Sequence, residues 1–145
     1  GDLDYIHSVE RISKLSNVIS INGGVQLDLM GQENAESTGT RQLSGVGGQM
    51  DFLEGAYRSK GGKGFICINS SRVTKDGERK SNILATIPGG STISAPRTMI
   101  QYVATEYGIA SLSGKTLRER AEAMAAIAHP DFREELMKYA RENFK

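Results

Sequence analysis

Apolar residues follow two spacings along this chain, and the spacings predict a mixture of helices and strands. Near the N-terminus they recur at every third position, which predicts a short helix ending near Asn17: Val9, Ile12 and Leu15. Short apolar or alternating runs bounded by turn residues predict strands. These runs are residues 18–21, 25–29, 65–68, 83–87, 92–93 and 101–105.

The segments between these runs predict turns, loops and a further helix. Residues 22–24 form the turn signal Asn-Gly-Gly between the first two strands. The polar, glycine-rich stretch 31–48 predicts a long loop, and residues 51–58 predict one or two helical turns. The charged segment 73–81 predicts an exposed hairpin tip around Asp76 and Gly77.

The C-terminal part of the chain has the clearest helix signals. Thr116 and Glu119 have the spacing of a capping box, which starts a helix whose apolar face continues to residue 128. Pro130 disfavours helical geometry at the residue before it, so this helix ends there, and Asp131 is expected to cap a second helix. Strands with helices before, between and after them predict a single α/β domain, residues 1–145, with an open sheet in two or three layers.

Composition narrows the classes of function. The 145 residues, enough for one domain, carry 18 basic and 17 acidic side chains, and the net charge of +1 argues against general binding to nucleic acid or anionic membrane. Neither a membrane span nor a signal peptide is present in the pattern, so we expect a cytoplasmic protein. Cys67 lies in an apolar run and is expected to be a buried, inert thiol. No cysteine or histidine cluster has zinc spacing, and no metal is expected.

Two glycine-containing segments approach nucleotide-binding patterns without matching them. Residues 108–116 follow a strand and open a helix, but five residues instead of four separate the two glycines. The loop Gly45-Val46-Gly47-Gly48 has Met50 where a dinucleotide fingerprint needs its third glycine. Because glycines before a helix let backbone amides approach an anion, this loop is either a ligand-binding loop or a tight turn.

The remaining ionisable candidates are few. Lys60 and Lys63 flank two glycines in a basic turn, which is either a phosphate clamp or a solvated surface turn. His7 and His129 have no evident acid–base partner, and His129 fits a capping or packing role. Glu106 ends a strand, where its carboxylate either faces a cleft or pairs with a basic residue.

Six segments taken together point to a known family. They are Gly31–Ser37 (Gly-Gln-Glu-Asn-Ala-Glu-Ser), Ser44–Phe52 (Ser-Gly-Val-Gly-Gly-Gln-Met-Asp-Phe), Ser59–Lys63, Thr105–Gly108, Leu117–Ala121 and Ile127–Arg133. In this order they resemble the C-terminal domain of the acetyl-CoA hydrolase/transferase family, which includes 4-hydroxybutyrate and acetate CoA-transferases. The resemblance extends from about residue 16 to the end of the chain.

The resemblance implies a fold of the NagB/RpiA/CoA-transferase type and a definite chemistry. Family members have two related open α/β domains with coenzyme A and the active site between them, so this chain is expected to lack an N-terminal domain. An active-site glutamate attacks the acyl-CoA thioester to form an anhydride and then a glutamyl-CoA thioester. A carboxylate, or water in the hydrolases, completes the exchange. The implied partners are acyl-CoA, a small carboxylate and further copies of the chain in a homo-oligomer.

The resemblance also implies roles for residues of this chain. The Gly45–Gly48 loop is similar to the family's glycine loop, so Gly47 and Gly48 are expected to stabilise the oxyanion, with Gly45 and Val46 in the coenzyme A site. Asn34 matches an asparagine near the pantetheine. Lys60 or Lys63 matches a lysine that contacts coenzyme A.

The nucleophilic glutamate of the family has no counterpart in this sequence. Its motif lies upstream of the matched region, and none of four candidate glutamates matches it: Glu33, Glu36, Glu54 and Glu106. The isolated chain is therefore expected to be inactive. A hydrolase, a non-catalytic acyl-CoA-binding module and a nucleotide-binding protein using residues 108–116 remain alternatives.

Overall fold

The computed structural model describes residues 2–144. Within this range the helices are α1 (Leu3–Ile6), α2 (Val9–Lys14), α3 (Gln49–Arg58), α4 (Leu117–Ala126) and α5 (Pro130–Asn143). The strands are β1 (Ile19–Gly23), β2 (Gln26–Asp28), β3 (Glu33–Asn34), β4 (Ser37–Thr38), β5 (Arg41–Gln42), β6 (Lys63–Cys67), β7 (Ser71–Val73), β8 (Arg79–Ser81), β9 (Ile83–Leu84), β10 (Tyr102–Thr105) and β11 (Gly108–Ser111). The mixed α/β class predicted from the sequence is confirmed.

The central sheet has four strands in the order β1-β6-β10-β11. The first three are parallel, and β11 returns antiparallel to β10. The connection from β1 to β6 contains α3, as parallel neighbours require a crossover. Because β1, β6 and β10 run in one direction, their carboxyl ends meet at one edge of the sheet, and α3 begins near that edge and ends near the opposite one.

The two faces of this sheet differ in burial. One face carries Gly64, Ile66, Val103 and Ala110 and is buried in the core, where Leu53 of α3 packs over Gly64. The other face is open: Ile19, Ile21 and Ile109 are 52%, 68% and 63% exposed, beside the stacked rings of Phe65 and Tyr102. Parallel sheets are normally covered on both faces, so this apolar surface is unusual.

The predicted strands around Asn22–Gly24 exist, but they do not pair with each other. β1 joins the four-stranded sheet, whereas β2 lies between β3 and β9 in a separate three-stranded sheet. The turn signal therefore marks the point where the chain leaves one sheet for another. The local sequence predicts both strands but does not predict which strand each of them pairs with.

Three further expectations need correction. The predicted loop 31–48 contains the short strands β3, β4 and β5. The backbone of β3 pairs with β2, and β4 pairs with β5. Residues 92–93 form no strand, and the strand predicted over 83–87 ends at Leu84. Residues 108–111, for which no strand was predicted, form β11, paired with β10. This strand agrees with the expectation that segment 108–116 is not a phosphate loop. The hairpin around Asp76 is confirmed, with β7 and β8 antiparallel.

The C-terminal helices begin much as the sequence predicts. Thr116 and Glu119 form both bonds of the capping box of α4. The predicted cap of α5 is wrong by two residues: His129 is the N-cap, and its Nδ1 accepts from the backbone N–H of Asp131 at 3.3 Å. Pro130, placed at the first helical position, lacks an N–H that would need a partner.

One buried arginine connects distant parts of the domain. The Arg120 guanidinium donates to the carbonyls of Met30, Leu112 and Arg97 at 2.7–2.9 Å. The turn at Gly31 fits beside it because Gly31 has no side chain, and a Cβ there would lie 2.8 Å from Arg120. This bond set fixes the turn between β2 and β3, from which the site residues project.

Two remaining expectations concern Cys67 and membranes. Cys67 is exposed, not buried, because it is the last residue of β6 and its side chain lies on the open face of the sheet. None of the helices within residues 2–144 has the length and apolar character needed to cross a membrane.

Candidate functional site

The carboxyl edge of the parallel strands forms an open cleft. A cavity of about 410 Å³ lies there, lined by residues at the ends of β1, β6 and β10 or just after them, among them Gly24, Cys67 and Glu106. Ligands of open α/β sheets bind at this edge, outside the carboxyl ends of the strands. The start of α3, which follows the loop Gly45–Gly48, lies near the same edge, because Gln49 contacts Glu33 and Glu33 lies beside Gly24.

The glycine loop presents bare backbone to solvent. Gly45, Val46 and Gly47 are exposed, and Gly47 has a φ of +58°, which favours glycine. Gly48 is the N-cap residue of α3, and no side chain within residues 2–144 caps that helix start. The first amides of α3 lack helical partners and point outward, where the helix dipole favours negative charge. The loop is therefore able to accept an anionic or oxyanionic atom.

The beginning of the glycine loop is held by Glu36. Its backbone carbonyl accepts from the N–H groups of Leu43 and Ser44 at 2.6 and 3.2 Å. Its buried carboxylate accepts from the Ser94 hydroxyl at 2.7 Å. The side chain of Gln42 donates to the Ser44 carbonyl at 2.6 Å. The chain thus enters the loop from a fixed position.

Asn34 is fully buried and all of its polar atoms have partners inside the protein. Its Nδ2 donates to the Ser37 carbonyl at 2.8 Å and to Gln26 Oε1 at 3.4 Å. Its Oδ1 accepts from the backbone N–H groups of Glu36 and Ser37 and from the Ser37 hydroxyl, at 2.9–3.2 Å. In this structure Asn34 therefore shapes the turn that leads toward the glycine loop.

Glu33 holds the other end of the loop. Its carboxylate accepts a hydrogen bond from Nε2 of Gln49, the first residue of α3, while Oε1 is buried without a partner. Gly24 makes room for it, since a Cβ on Gly24 would lie 2.8 Å from Oε1. Burial raises the pKa of Glu33 to about 8, and the bond from Gln49 offsets only part of this effect.

His7 contacts the loop from the N-terminal side. Its ring lies against Gly48, so closely that a Cβ there would overlap it. Nδ1 of His7 lies 3.5 Å from Oδ2 of Asp51, and the ring packs edge-on against Phe52. The sequence offered no acid–base partner for His7, because the contact with Asp51 joins positions 44 residues apart.

Lys60 and Lys63 lie at the opposite end of α3 from the glycine loop. The ten-residue helix separates the two ends by about 15 Å. Both lysines are exposed, and a cavity of about 460 Å³ is lined by Lys60, Gly61 and the turn at Asn17. The structure thus brings Asn34 close to the glycine loop and leaves the lysines at a distance that only an extended ligand spans.

Glu106 faces the cleft at the carboxyl edge and is bound by a serine instead of a base. The backbone N–H and hydroxyl of Ser70 donate to its carboxylate at 2.9 and 2.6 Å. Desolvation acts to raise the pKa of Glu106, but these hydrogen bonds outweigh it and the pKa is lowered. Glu106 is therefore held as a carboxylate that stabilises the turn after β6.

Comparison with known proteins gives the family of this chain. The family model of the acetyl-CoA hydrolase/transferase C-terminal domain matches residues 1–140. The 4-hydroxybutyrate coenzyme A transferase of Clostridium kluyveri is 48% identical over 98% of this chain and 32% of its own length. The butyryl-CoA:acetate CoA-transferase of Anaerostipes caccae is 47% identical over 95% of this chain and 31% of its own. RipA from Yersinia pestis superposes with a TM-score of 0.84 at 40% identity, covering 96% of this chain and 30% of that one.

The chain therefore belongs to the acetyl-CoA hydrolase/transferase family and corresponds to its C-terminal domain. It spans about a third of the length of the curated relatives that it matches. The resemblance predicted from the six sequence segments is confirmed at the level of family and fold.

Proposed function

We propose that this chain is the C-terminal domain of a CoA-transferase and presents the oxyanion loop to an acyl-CoA. The observation that supports this proposal is the loop Gly45–Gly48, which is exposed at residues 45–47 and lies at the uncapped start of α3. The segment Glu33–Glu36 fixes this loop at both ends. A preorganised backbone donor stabilises charge that develops in a transition state without rearrangement. Family membership supports the substrate class.

The proposed reaction is a two-stage exchange with a glutamate outside this chain. The glutamate carboxylate attacks the thioester carbonyl and the CoA thiolate leaves, which gives an acyl–glutamyl anhydride. The thiolate then attacks the glutamyl carbonyl, releases the first carboxylate and leaves a glutamyl-CoA thioester. An acceptor carboxylate reverses both steps and departs as the new acyl-CoA. Each addition places negative charge on an oxygen, and Gly47 and Gly48 are the proposed donors to it.

The other proposed roles assign one part of coenzyme A to each end of α3. Gly45 and Val46 line the pantetheine end of the coenzyme A site, and Asn34 supports them by shaping the turn beneath the loop. Lys60 and Lys63 meet the phosphate-bearing end, about 15 Å away along the helix. The exposed lysine ammonium groups suit phosphate oxygens.

We also propose that the open apolar face of the sheet packs against the remaining part of a longer, two-domain enzyme. The exposed Ile19, Ile21 and Ile109 support this proposal, since a parallel sheet is normally covered on both faces. Ile21→Ser combined with Ile109→Ser should leave the melting temperature of this chain almost unchanged and lower its tendency to associate. A drop of more than about 5 °C would show that this face is part of the chain's own core. Location in the cytoplasm and assembly into a homo-oligomer stay predictions.

The decisive test is the melting temperature of the chain with saturating coenzyme A, with ATP as control. A ligand at a hundred times its Kd adds about 2.7 kcal/mol, which for a domain of this size is a shift of roughly 5–10 °C. Lys60→Ala and Lys63→Ala should reduce the shift, while Lys138→Ala, an exposed lysine on α5, should not. An equal shift with ATP, or none with coenzyme A, would contradict the assignment of the coenzyme A contacts to this domain.

Activity needs a longer protein that contains this chain. Such a protein should transfer coenzyme A from an acyl-CoA to acetate with ping-pong kinetics. Release of free coenzyme A without a carboxylate acceptor would identify a hydrolase instead. A protein that neither transfers nor hydrolyses acyl-CoA would refute the proposed function.

A further inference from the structure

The segment Glu33–Ser37 contacts both ends of the glycine loop. The Glu36 carbonyl accepts from Leu43 and Ser44, just before the loop. The Glu33 side chain accepts from Gln49, directly after it. Glu33 itself is anchored through its backbone, which exchanges hydrogen bonds with Ala95 and accepts from Ser94. The carboxyl group of Glu33 therefore connects a rigid strand to the helix start that carries the loop.

The surroundings of this carboxyl group are apolar or neutral. Glu33 has no solvent exposure, and its side chain lies among Gln49 of α3, Gly24 after β1 and Ile66 of β6. One oxygen accepts from Gln49 and the other has no partner among residues 2–144. A neutral carboxyl group fits such a place, whereas a buried charge with one hydrogen bond is costly.

The charged groups near this end of α3 are engaged elsewhere. His7 and Asp51 face each other beside Gly48. The Glu36 carboxylate accepts from Ser94, and Glu106, which lines the cleft that Gly24 also lines, accepts from Ser70. Cys67, at the end of β6, lines the same cleft.

We propose that Glu33 is a positioning residue for the glycine loop: its carboxyl group holds Gln49, and through Gln49 it fixes the backbone amides of Gly47 and Gly48. The importance of these amides for catalysis rests on the proposed function, whereas the mechanical connection does not. When the carboxyl group loses its proton, the charge must gain water or move toward the cleft at Gly24. Either change pulls on Gln49 and displaces the loop.

The test is a pH titration of the whole chain by NMR, without any ligand, from about pH 6 to about pH 9.5. The backbone amide signals of Gly47 and Gly48 should move with a single midpoint near that of the Glu33 carboxyl carbon, near pH 8. In Glu33→Gln, which retains an oxygen that accepts from Gln49, these amides should keep their low-pH positions throughout.

A second variant separates the mechanical connection from simple proximity. In Gln49→Ala the Glu33 carboxyl carbon should still titrate, while the movement of the Gly47 and Gly48 amides should fall at least threefold. His7→Asn removes the imidazole that lies against Gly48, and Glu54→Gln removes a carboxylate elsewhere on α3. Both controls should retain the full movement of the loop.

Three results would overturn the proposal. They are loop amides that do not move while the Glu33 carbon titrates, a loop titration that survives Glu33→Gln or Gln49→Ala, and one that disappears in His7→Asn. Because no coenzyme A is present, these results are independent of the melting experiment. The proposed function can fail while Glu33 positions the loop, and the reverse also holds.

Discussion

The two ends of α3 carry residues of one predicted site and are built in opposite ways. At the amino end, Asn34 and Glu33 are fully buried, and the glycine loop is fixed through their hydrogen bonds. At the carboxyl end, Lys60 and Lys63 are exposed. There Ser59 makes the buried side-chain contacts, with its hydroxyl donating to Leu15 and accepting from the Val18 amide.

This difference corresponds to two tasks, the positioning of groups at a reacting atom and the attraction of a charged ligand. Groups that face a reacting atom must be held within a few tenths of an ångström, which requires buried and directional bonds. Groups that attract a charged ligand act over a longer range and tolerate solvent and motion. Variants at the amino end should therefore change stability, and variants at the carboxyl end should change ligand affinity alone.

The largest expected effect comes from Glu33 and pH. Because its pKa is raised from 4.5 to about 8 by burial, the folded state holds one proton more than the unfolded state between these values. The stabilisation from this group is complete at low pH and falls by about 1.4 kcal/mol per pH unit as pH rises through this window. From about pH 5 to about pH 8, the wild-type chain should lose about 3–4 kcal/mol relative to Glu33→Gln, measured by urea denaturation.

The Glu54→Gln variant is the control for this measurement, since Glu54 lies on α3 but pairs with Arg58 at the surface. Its stability should follow the wild-type pH dependence. Parallel curves for wild type and Glu33→Gln would mean that Glu33 is ionised in the folded state, and the contrast between the two ends of α3 would be weaker.

A somewhat smaller effect is expected for Asn34→Ala. The change removes a buried side chain and leaves the Glu36 and Ser37 amides without their acceptor. We expect a loss of about 3 kcal/mol and a fall of about 10 °C in melting temperature, followed by circular dichroism. Asn143→Ala, on the exposed end of α5, should change stability by less than about 0.5 kcal/mol. Equal effects in both variants would argue against a structural role for Asn34.

Gly48→Ala should have a still smaller effect, and one that depends on His7. The added methyl group overlaps the His7 ring, which must turn away, and we expect a loss of about 1–2 kcal/mol. In a His7→Ala background the same change should be nearly neutral, so a double-mutant cycle of unfolding free energies measures the contact. Additive effects would show that the ring does not pack on the loop in solution.

The smallest effect on stability is expected at the carboxyl end. Lys60→Ala and Lys63→Ala should each change the unfolding free energy by less than about 0.5 kcal/mol, because both side chains are exposed. Each should weaken coenzyme A binding by roughly fivefold in calorimetry, the loss expected for one solvated ion pair. A strong loss of stability in either variant would remove the distinction between the two ends.

The sequence predicted much of the local structure, because these elements depend on residues that are close together along the chain. The capping box at Thr116, the hairpin at Asp76 and the helix before Ser59 depend on residues a few positions apart, whose geometry is set by the backbone itself. The pairing of β1 with β6 joins positions 44 residues apart, and no local pattern encodes such a choice. For the same reason the predicted hairpin at Asn22 is wrong: Asn22 and Gly23 belong to β1, and the chain leaves the strand only at residue 24.

The candidate site shows the same division. The six family segments predicted the glycine loop, Asn34 and the two lysines as site residues, because short motifs can be recognised in the sequence alone. Glu33, Gln49 and His7 escaped notice as contacts of that loop, because their importance comes from burial and from each other. The exposure of Cys67 was also mispredicted, since its apolar neighbours do not reveal which face of the sheet is covered.

By itself the sequence determined the family, the α/β class and the position of the glycine loop, since these depend on local spacing and on residues read in order. Only the tertiary structure decided which groups hold that loop and how far the lysines lie from it. The physical reason is that burial and hydrogen bonding between distant residues arise when the strands choose their partners. Glu33 illustrates this point. In the sequence it is one of many acidic residues, whereas in the fold it is a buried acid in contact with the start of α3.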